Sequence, residues 1–265
     1  MAHEWQSYDA AADTHDRLAV PGIFTPPARD LVANLDLPRA AALLDVGSGS
    51  GVAARVAKES SRDRTVFALD PSLEMLRAAR SHGLCVVAGA VPGLPFAAGA
   101  FDGVMANFVL SHLTSYQAAL ADMARVLKPG GKLGVTSWGS LQSEYRERWQ
   151  VVADSFADPQ ALQAAVAQGL PWEEWLEDPA HLRQAFEETG LESVTLHHAH
   201  YSTRMSIADF LAIRSNALQA RFMRQTLDPK RWQEFERAVS ADFYERFKDP
   251  IEHVRDVHIA VGTKA

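Results

Sequence analysis

The sequence predicts an α/β fold: a doubly wound, mostly parallel, seven-stranded sheet with a helical cap. Three observations lead there. Short apolar β-type runs alternate with amphipathic helical runs from Thr25 to Ser137, the first strand runs straight into a glycine-rich turn, and two more alternating runs follow a helix-rich stretch near the end. Alternation of strand and helix demands right-handed crossovers, and these place strands in parallel with helices on both faces.

Taken in order, Thr25-Pro26-Pro27 opens a helix, with Thr25 as N-cap and Pro26 in the first turn, and Leu31, Val32 and Leu35 give it an apolar stripe. Ala41 to Val46 reads as a buried strand, Val52 to Lys58 as the helix after the glycines, and Thr65 to Leu69 as the second strand. Ser72 to Ser81 is the second helix of the repeat, Leu84 to Ala88 the third strand and Phe101 to Val109 the fourth. Tyr116 to Leu127 carries Leu120, Met123 and Leu127 on one helical face, Lys128-Pro129-Gly130-Gly131 breaks it, and Lys132 to Ser137 is the fifth strand.

After Trp138 the pattern changes. Ser143 to Leu176 is helical in tendency, Pro179 to Thr189 is a helix closed by Gly190, and Ser206 to Phe247 is helical again, with strands at Ser193 to Tyr201 and Val254 to Val261. We expect one domain over 1–265: an N-terminal lid (1–24), a ligand-binding core (25–138), cap insertions (139–178 and 202–250) and sheet-completing segments (179–201 and 251–265).

The 265 residues are 47% hydrophobic and 22% charged, which excludes a disordered or fibrous chain. Acidic residues (33) outnumber basic ones (26) and no long basic run occurs, so nucleic acid is not the expected partner. Neither a secretory-type leader nor a bilayer-length apolar run is present, so a cytoplasmic location without membrane association is expected, as monomer or homodimer. The single cysteine, Cys85, lies in the apolar run Leu84-Cys85-Val86-Val87 and reads as a buried thiol.

The chemistry gathers at LLDVGSGSG, Leu43 to Gly51. Glycines at a strand-to-helix turn permit sharp backbone and close ligand approach, beside the free N–H groups of a helix start. A dinucleotide fits poorly, because Asp45 stands where a pyrophosphate would lie and repels it. Asp70, ending the second strand, can accept both hydroxyls of a ribose. A ligand with a ribose, a positive charge and no phosphate meets both demands, and S-adenosylmethionine is one.

Four motifs in order resemble the class I S-adenosylmethionine-dependent methyltransferases, in the small-molecule branch similar to the ubiquinone/menaquinone-biosynthesis enzymes. They are LLDVGSGSG, ALDPSLEMLRAAR (Ala68 to Arg80), GAVPGLPFAAGAFDGVMANFVLSHL (Gly89 to Leu113) and ARVLKPGGKLGVTSW (Ala124 to Trp138). The resemblance implies a Rossmann-like methyltransferase fold and S-adenosylmethionine as cofactor. It implies that Gly47, Ser48, Gly49 and Gly51 line the methionine part and ribose, with Asp45 near the amino group and Asp70 on the ribose. Pro71 and Met75 would flank the adenine, Ala90 and Val91 its edge, and Asn107 the methionine carboxylate and amine. The family's acidic residue beside the adenine has no counterpart in Gly89-Ala90-Val91.

For chemistry, His112 just past the fourth strand is a candidate to take a proton or orient the acceptor. Tyr8 is a candidate to close the site over the methionine end, in a segment resembling the family's opening helix, and His15 is a weaker candidate for the site wall. His197, His198 and His200 look like metal ligands, but His197 points away from the other two on a strand and no acidic residue nearby completes a set, so no metal is expected. Arg204, Arg214, Arg221, Arg224, Lys230, Arg231 and Arg237, interleaved with acids, read as a solvated helical face. The expected partner is a small organic acceptor methylated on O, N or C, enclosed by cap aromatics such as Trp172. The alternative is a protein of this fold that binds the cofactor without methylating, either a cyclase-type enzyme or a non-catalytic binder.

Overall fold

The computed structural model describes residues 15–265. A π-wound helix, α1 (His15–Phe24), leads directly into α2 (Thr25–Leu35). Thr25 is therefore not the N-cap: its hydroxyl donates to the Val20 carbonyl at 2.8 Å, because one helix feeds the next and no orphan amides need capping. There follow β1 (Ala42–Val46), α3 (Val52–Ser60), β2 (Thr65–Asp70), α4 (Leu73–Ser81), β3 (Cys85–Ala88), β4 (Phe101–Asn107), a 3-10 turn (Leu110–His112), α5 (Tyr116–Val126) and β5 (Leu127–Trp138).

The second half contains α6 (Glu144–Asp154), α7 (Pro159–Gly169), α8 (Glu173–Leu176), α9 (Pro179–Glu188), β6 (Leu191–Met205), α10 (Ile207–Arg214), α11 (Leu218–Thr226), α12 (Pro229–Arg246) and β7 (Ile251–Lys264). Three of these helices, α7, α9 and α12, begin at an Asp-Pro pair. The aspartates Asp158, Asp178 and Asp228 accept from first-turn N–H groups at 2.8–3.1 Å, and each proline supplies helical φ where no N–H is needed.

The strands form one seven-stranded sheet in the order β3-β2-β1-β4-β5-β7-β6. β1 to β5 are parallel, and β7 inserts antiparallel between β5 and β6. The strand order reverses between β1 and β4, so the carboxyl ends of β1 and β4 open a crevice there, the usual ligand position in such sheets. Three strands run longer than expected. β5 starts at Leu127, which pairs with Phe101 ahead of a register shift between Phe101 and Gly103, β6 runs on to Met205 because β7 pairs it as far as Ile251, and β7 itself spans Ile251–Lys264.

One apolar layer lies under α5, α8 and α9, with Leu44, Phe101, Leu120, Leu133 and Phe186 buried, and the other under α2 and α3, with Leu31, Leu35, Leu43 and Met105. A third cluster built from Trp149, Phe210, Phe235 and Phe243 belongs to α6, α10 and α12 and is separate from both. Cys85 is exposed, against expectation. It sits on β3, the sheet edge, where among the described residues no further strand pairs with its far side.

Candidate functional site

The glycine turn is a folded object held from β2. Ser48 donates its N–H to the Leu69 carbonyl at 3.0 Å and Gly51 to the Ser48 carbonyl at 2.8 Å. Gly47, Gly49 and Gly51 all have φ between 54° and 86°, a region that strains any residue with a Cβ. They are glycines for different second reasons. A Cβ on Gly47 would meet Val109 at 2.7 Å and one on Gly51 would meet Leu84 at 2.2 Å, whereas one on Gly49 would meet, among the described residues, only the Met75 sulfur at 4.0 Å.

Two carboxylates meet at this turn. Asp70, 7% exposed, accepts from Gly49 N–H at 2.9 Å through Oδ2 and from Ser72 N–H at 2.8 Å through Oδ1. A carboxylate has about four acceptor positions, so one that holds two backbone N–H groups is of the type that can also take a hydroxyl. Asp45, 1% exposed, accepts from the Ala54 N–H at 2.9 Å, while its Oδ1 and the hydroxyl of Ser48 are buried with no hydrogen-bond partner among the described residues. Burial, with the Asp70 charge adding to it, pushes the Asp45 carboxyl up to about 7 against the Ala54 hydrogen bond. Unspent buried acceptors beneath a glycine turn are what a cationic, hydrogen-bonding ligand would relieve.

Met75 is 3% exposed, one turn into α4, whose N-cap Ser72 accepts from the Met75 N–H at 3.2 Å. Pro71 is exposed beside it, and the next residue but one, Leu73, is a large apolar side chain 58% exposed that the sequence reading missed. Ala90 and Val91 follow β3 at the same end of the sheet, where Gly89 N–H reaches the Asp70 carbonyl at 3.2 Å. At the end of β4 the Asn107 side chain accepts from the Thr136 hydroxyl at 2.8 Å, and that hydroxyl accepts from the Phe108 N–H at 2.9 Å. Phe108 is held at φ 59°, a left-handed conformation costing about 1–2 kcal/mol for a residue with a Cβ. Its ring stacks on Trp138 at 3.8 Å between centroids.

His112 ends the 3-10 turn after β4 and is exposed. Desolvation, and then the Arg221 guanidinium, lower its pKa to about 4, so the imidazole is neutral at physiological pH. Tyr8 lies outside the described residues, as does the side chain of His15. α1 crosses the carboxyl ends of the strands: Asp16 meets His82 at 3.1 Å and Arg55 at 3.8 Å, and Gly22 accepts from Thr203 at 2.7 Å.

Several residues depart from their expected places. Trp172 packs edge-on to Tyr116 at 4.9 Å beside Trp175, on the α5 side, so the indole at the candidate site is Trp138 instead. Together Phe108, Ser111, Thr136, Ser137, Trp138, Glu173 and Leu176 line a small crevice between the ends of β4 and β5 and α8. The arginines of the second half are not all on a solvated face. Arg221 is 7% exposed, and Arg214 ends a helix that is apolar nearly all round and lies 4.4 Å over Trp149. The histidine strand does find an acid. β7 pairing sets Asp256 opposite His200, with its Oδ2 3.2 Å from His198 Nε2, and His258 joins them with all three ligand atoms within 4.8 Å. His258 Nε2 bonds the Glu177 carbonyl at 3.0 Å, and Asp256 also accepts from Leu141 N–H at 3.0 Å.

Comparison with known proteins bears on this core. Residues 44–135 match the model of the methyltransferase domain family. The fold is that of the methyltransferases. A demethylmenaquinone methyltransferase of Corynebacterium urealyticum is 37% identical over 106 residues, 40% of this chain and 45% of that protein. A malonyl-[acyl-carrier protein] O-methyltransferase of Enterobacter lignolyticus is 31% identical over 145 residues, 52% and 57% respectively. The chain thus spans about half the length of these curated relatives. Among solved structures, a phosphoethanolamine N-methyltransferase of Haemonchus contortus in complex with S-adenosyl-L-methionine superposes with a TM-score of 0.59 at 14% identity, covering 99% of this chain and 60% of that one. The YcgJ protein of Bacillus subtilis gives 0.56 at 14% identity, covering 90% and 98%. Among the described residues no helix of this methyltransferase-fold chain is long and apolar enough to cross a membrane.

Proposed function

We propose that the protein is an S-adenosylmethionine-dependent methyltransferase that moves a methyl group to an O, N or C atom of a small organic acceptor. The observation that carries this reading is the joining of Asp70 to Gly49 across the glycine turn, beside a buried Asp45 oxygen with no hydrogen-bond partner among the described residues. That donor and acceptor set suits the cofactor: a carboxylate at the strand end for the ribose, acceptors near an ammonium, and no phosphate-binding lysine or arginine in the turn. Demethylmenaquinone, malonyl-[acyl-carrier protein] and phosphoethanolamine methyltransferases among the similar proteins support the same class.

When bound, the cofactor would supply a methyl carbon activated by the sulfonium toward an acceptor lone pair. The chain's part is alignment and water exclusion. Gly47, Ser48 and Gly49 present backbone, Asp70 fixes the ribose end, Pro71 and Met75 flank the base with Ala90 and Val91 at its edge, and Asn107, steadied by Thr136, faces the methionine end. His112 stays neutral, so it can orient an acceptor or take its proton without first losing one. Tyr8 closes the site in this reading. The chain acts as one domain, with a lid at 1–24, a cofactor core at 25–138, a cap from 139–178 and 202–250, and completion of the sheet by 179–201 and 251–265; the separate apolar core of α6, α10 and α12 supports the cap. A cytoplasmic location belongs to the same proposal.

Thermal-shift titration with S-adenosylmethionine, S-adenosylhomocysteine and NADH, beside Asp70→Ala, tests the reading. A ligand at 100 times its Kd adds about 2.7 kcal/mol. The first two ligands should raise Tm in the wild type and not in the variant, whereas a rise with NADH alone would overturn the cofactor assignment.

A further inference from the structure

We infer that Arg146, Arg214 and Arg255 form a recognition site for a carboxylate carried by the methyl acceptor, an assignment that rests on the methyltransferase reading above. The three come from α6, the end of α10 and β7, and meet off the carboxyl end of β5. The last β5–β7 pair is Trp138 with Val257, so Arg255 lies two residues past it, where β7 has left β5, and its guanidinium stands 4.0 Å over the Trp138 ring.

The cluster is short of partners. Arg255 makes no hydrogen bond or ion pair with any described residue, and its Nε is buried. Arg214 donates to Gln219 Oε1 at 3.0 Å, but its Nε is buried and unpartnered. The nearest carboxylate contact is Arg146 to Glu173, at 3.9 Å, too long for a hydrogen bond. The three side chains are half-buried, Arg146 at 32% exposure, and like charges gathered with so few acceptors are unfavourable in the free protein. Burial, followed by mutual repulsion with Arg146, brings both Arg214 and Arg255 down to about 9, and burial with the same three arginines brings His253 to about 3, so it adds no charge.

The chemistry favours a monoanion. A guanidinium fork takes a carboxylate through two parallel N–H···O bonds. Glu173, Glu177 and Asp256 already oppose the arginines electrostatically without bonding them, which disfavours a dianionic phosphate. Asp256 points to the other face of β7 and is engaged by His198 and Leu141. Trp138 lies between the Arg255 guanidinium and the Phe108 ring, and both aromatic side chains border the crevice that also holds Ser111 and Glu173. An organic acid with its carboxylate on the arginines fits this arrangement.

The test is calorimetric titration of the full chain with benzoate, benzamide and inorganic phosphate at constant ionic strength, with S-adenosylhomocysteine measured in parallel. Benzoate should bind about tenfold or more tighter than either benzamide or phosphate. Arg255→Met and Arg214→Met should each abolish that preference, leave S-adenosylhomocysteine affinity unchanged and raise the Tm of the free protein, because a desolvated, repelled charge is removed. A merely structural arginine would lower Tm on removal. Arg255→Lys should fall between, keeping charge and losing the fork. Equal or absent binding of benzoate and benzamide, or benzoate affinity untouched in both Met variants, would overturn the proposal, as would phosphate binding tighter than benzoate. Benzoate binding without S-adenosylhomocysteine binding would instead break the methyltransferase reading and leave the anion site standing.

Discussion

The two ends of the sheet treat buried charge in opposite ways. At β1–β2, Asp70 is satisfied on both oxygens by backbone N–H groups of Gly49 and Ser72, and Asp45 is anchored by Ala54 N–H. At β5–β7, Arg214 and Arg255 lie over indole rings with buried Nε atoms that bond nothing. One end builds its own turn with its charges, so removing a charge should unmake the turn. The other holds its charges in reserve, so removing one should relax the free protein. Stability and binding therefore change together at the first end and in opposite directions at the second.

The largest expected effect is at Asp70. Asp70→Ala leaves two N–H groups without their acceptor, so it should lower stability by about 2 kcal/mol and weaken S-adenosylhomocysteine binding by on the order of 100-fold, read by denaturant melts and calorimetry. Retained binding would show that the turn, and not the carboxylate, makes the site. Next comes Asp45→Asn. The folded carboxyl titrates near 7, well above its ordinary value of 3.8. Folded protein thus keeps a proton there that the unfolded chain has released, so the stability this group contributes at acid pH declines as pH rises and is lost through pH 7. Asp45→Asn should accordingly be nearly neutral at pH 4 and stabilising by roughly 1–3 kcal/mol at pH 8, while weakening the cofactor at both. A pH-independent difference would contradict the buried, proton-holding carboxyl.

Gly49→Ala is expected to cost about 1–2 kcal/mol from its φ of 54° without a clash with any described residue. The loss of S-adenosylhomocysteine affinity should exceed that figure, because the added methyl prevents close approach of the ligand to the turn. Smaller still is the pH signature of His112. With its pKa near 4 it should contribute no limb to kcat/KM between pH 5.5 and 8, and a limb near 6.5 that vanishes in His112→Asn would place the ring in open water instead.

The same contrast explains what could be read from the sequence. The glycine turn, Asp45 and Asp70 lie within 28 residues on consecutive elements, and each needs a particular residue type for a backbone reason, so local pattern reveals them. The order of the parallel strands follows from the same local alternation. The arginine cluster has no local signature. Arg146, Arg214 and Arg255 are separated by 109 residues of chain and meet only because β7 turns back between β5 and β6. A hint did exist in α10, whose Ile207, Phe210, Leu211 and Ile213 leave no polar face for Arg214 to stand on. His198 and Asp256 were likewise separated until strand pairing joined them. Cys85 misled because an apolar run on an edge strand is covered on fewer sides than the same run in the middle of a sheet.

The most direct test of this opposition is a crossed calorimetric experiment in which S-adenosylhomocysteine and benzoate are each titrated into Asp70→Ala and Arg255→Met. The account predicts that Asp70→Ala loses only the nucleoside ligand and Arg255→Met only the carboxylate, the second with a Tm at or above that of the wild type. Loss of both ligands in either variant, or a lowered Tm in Arg255→Met, would contradict it.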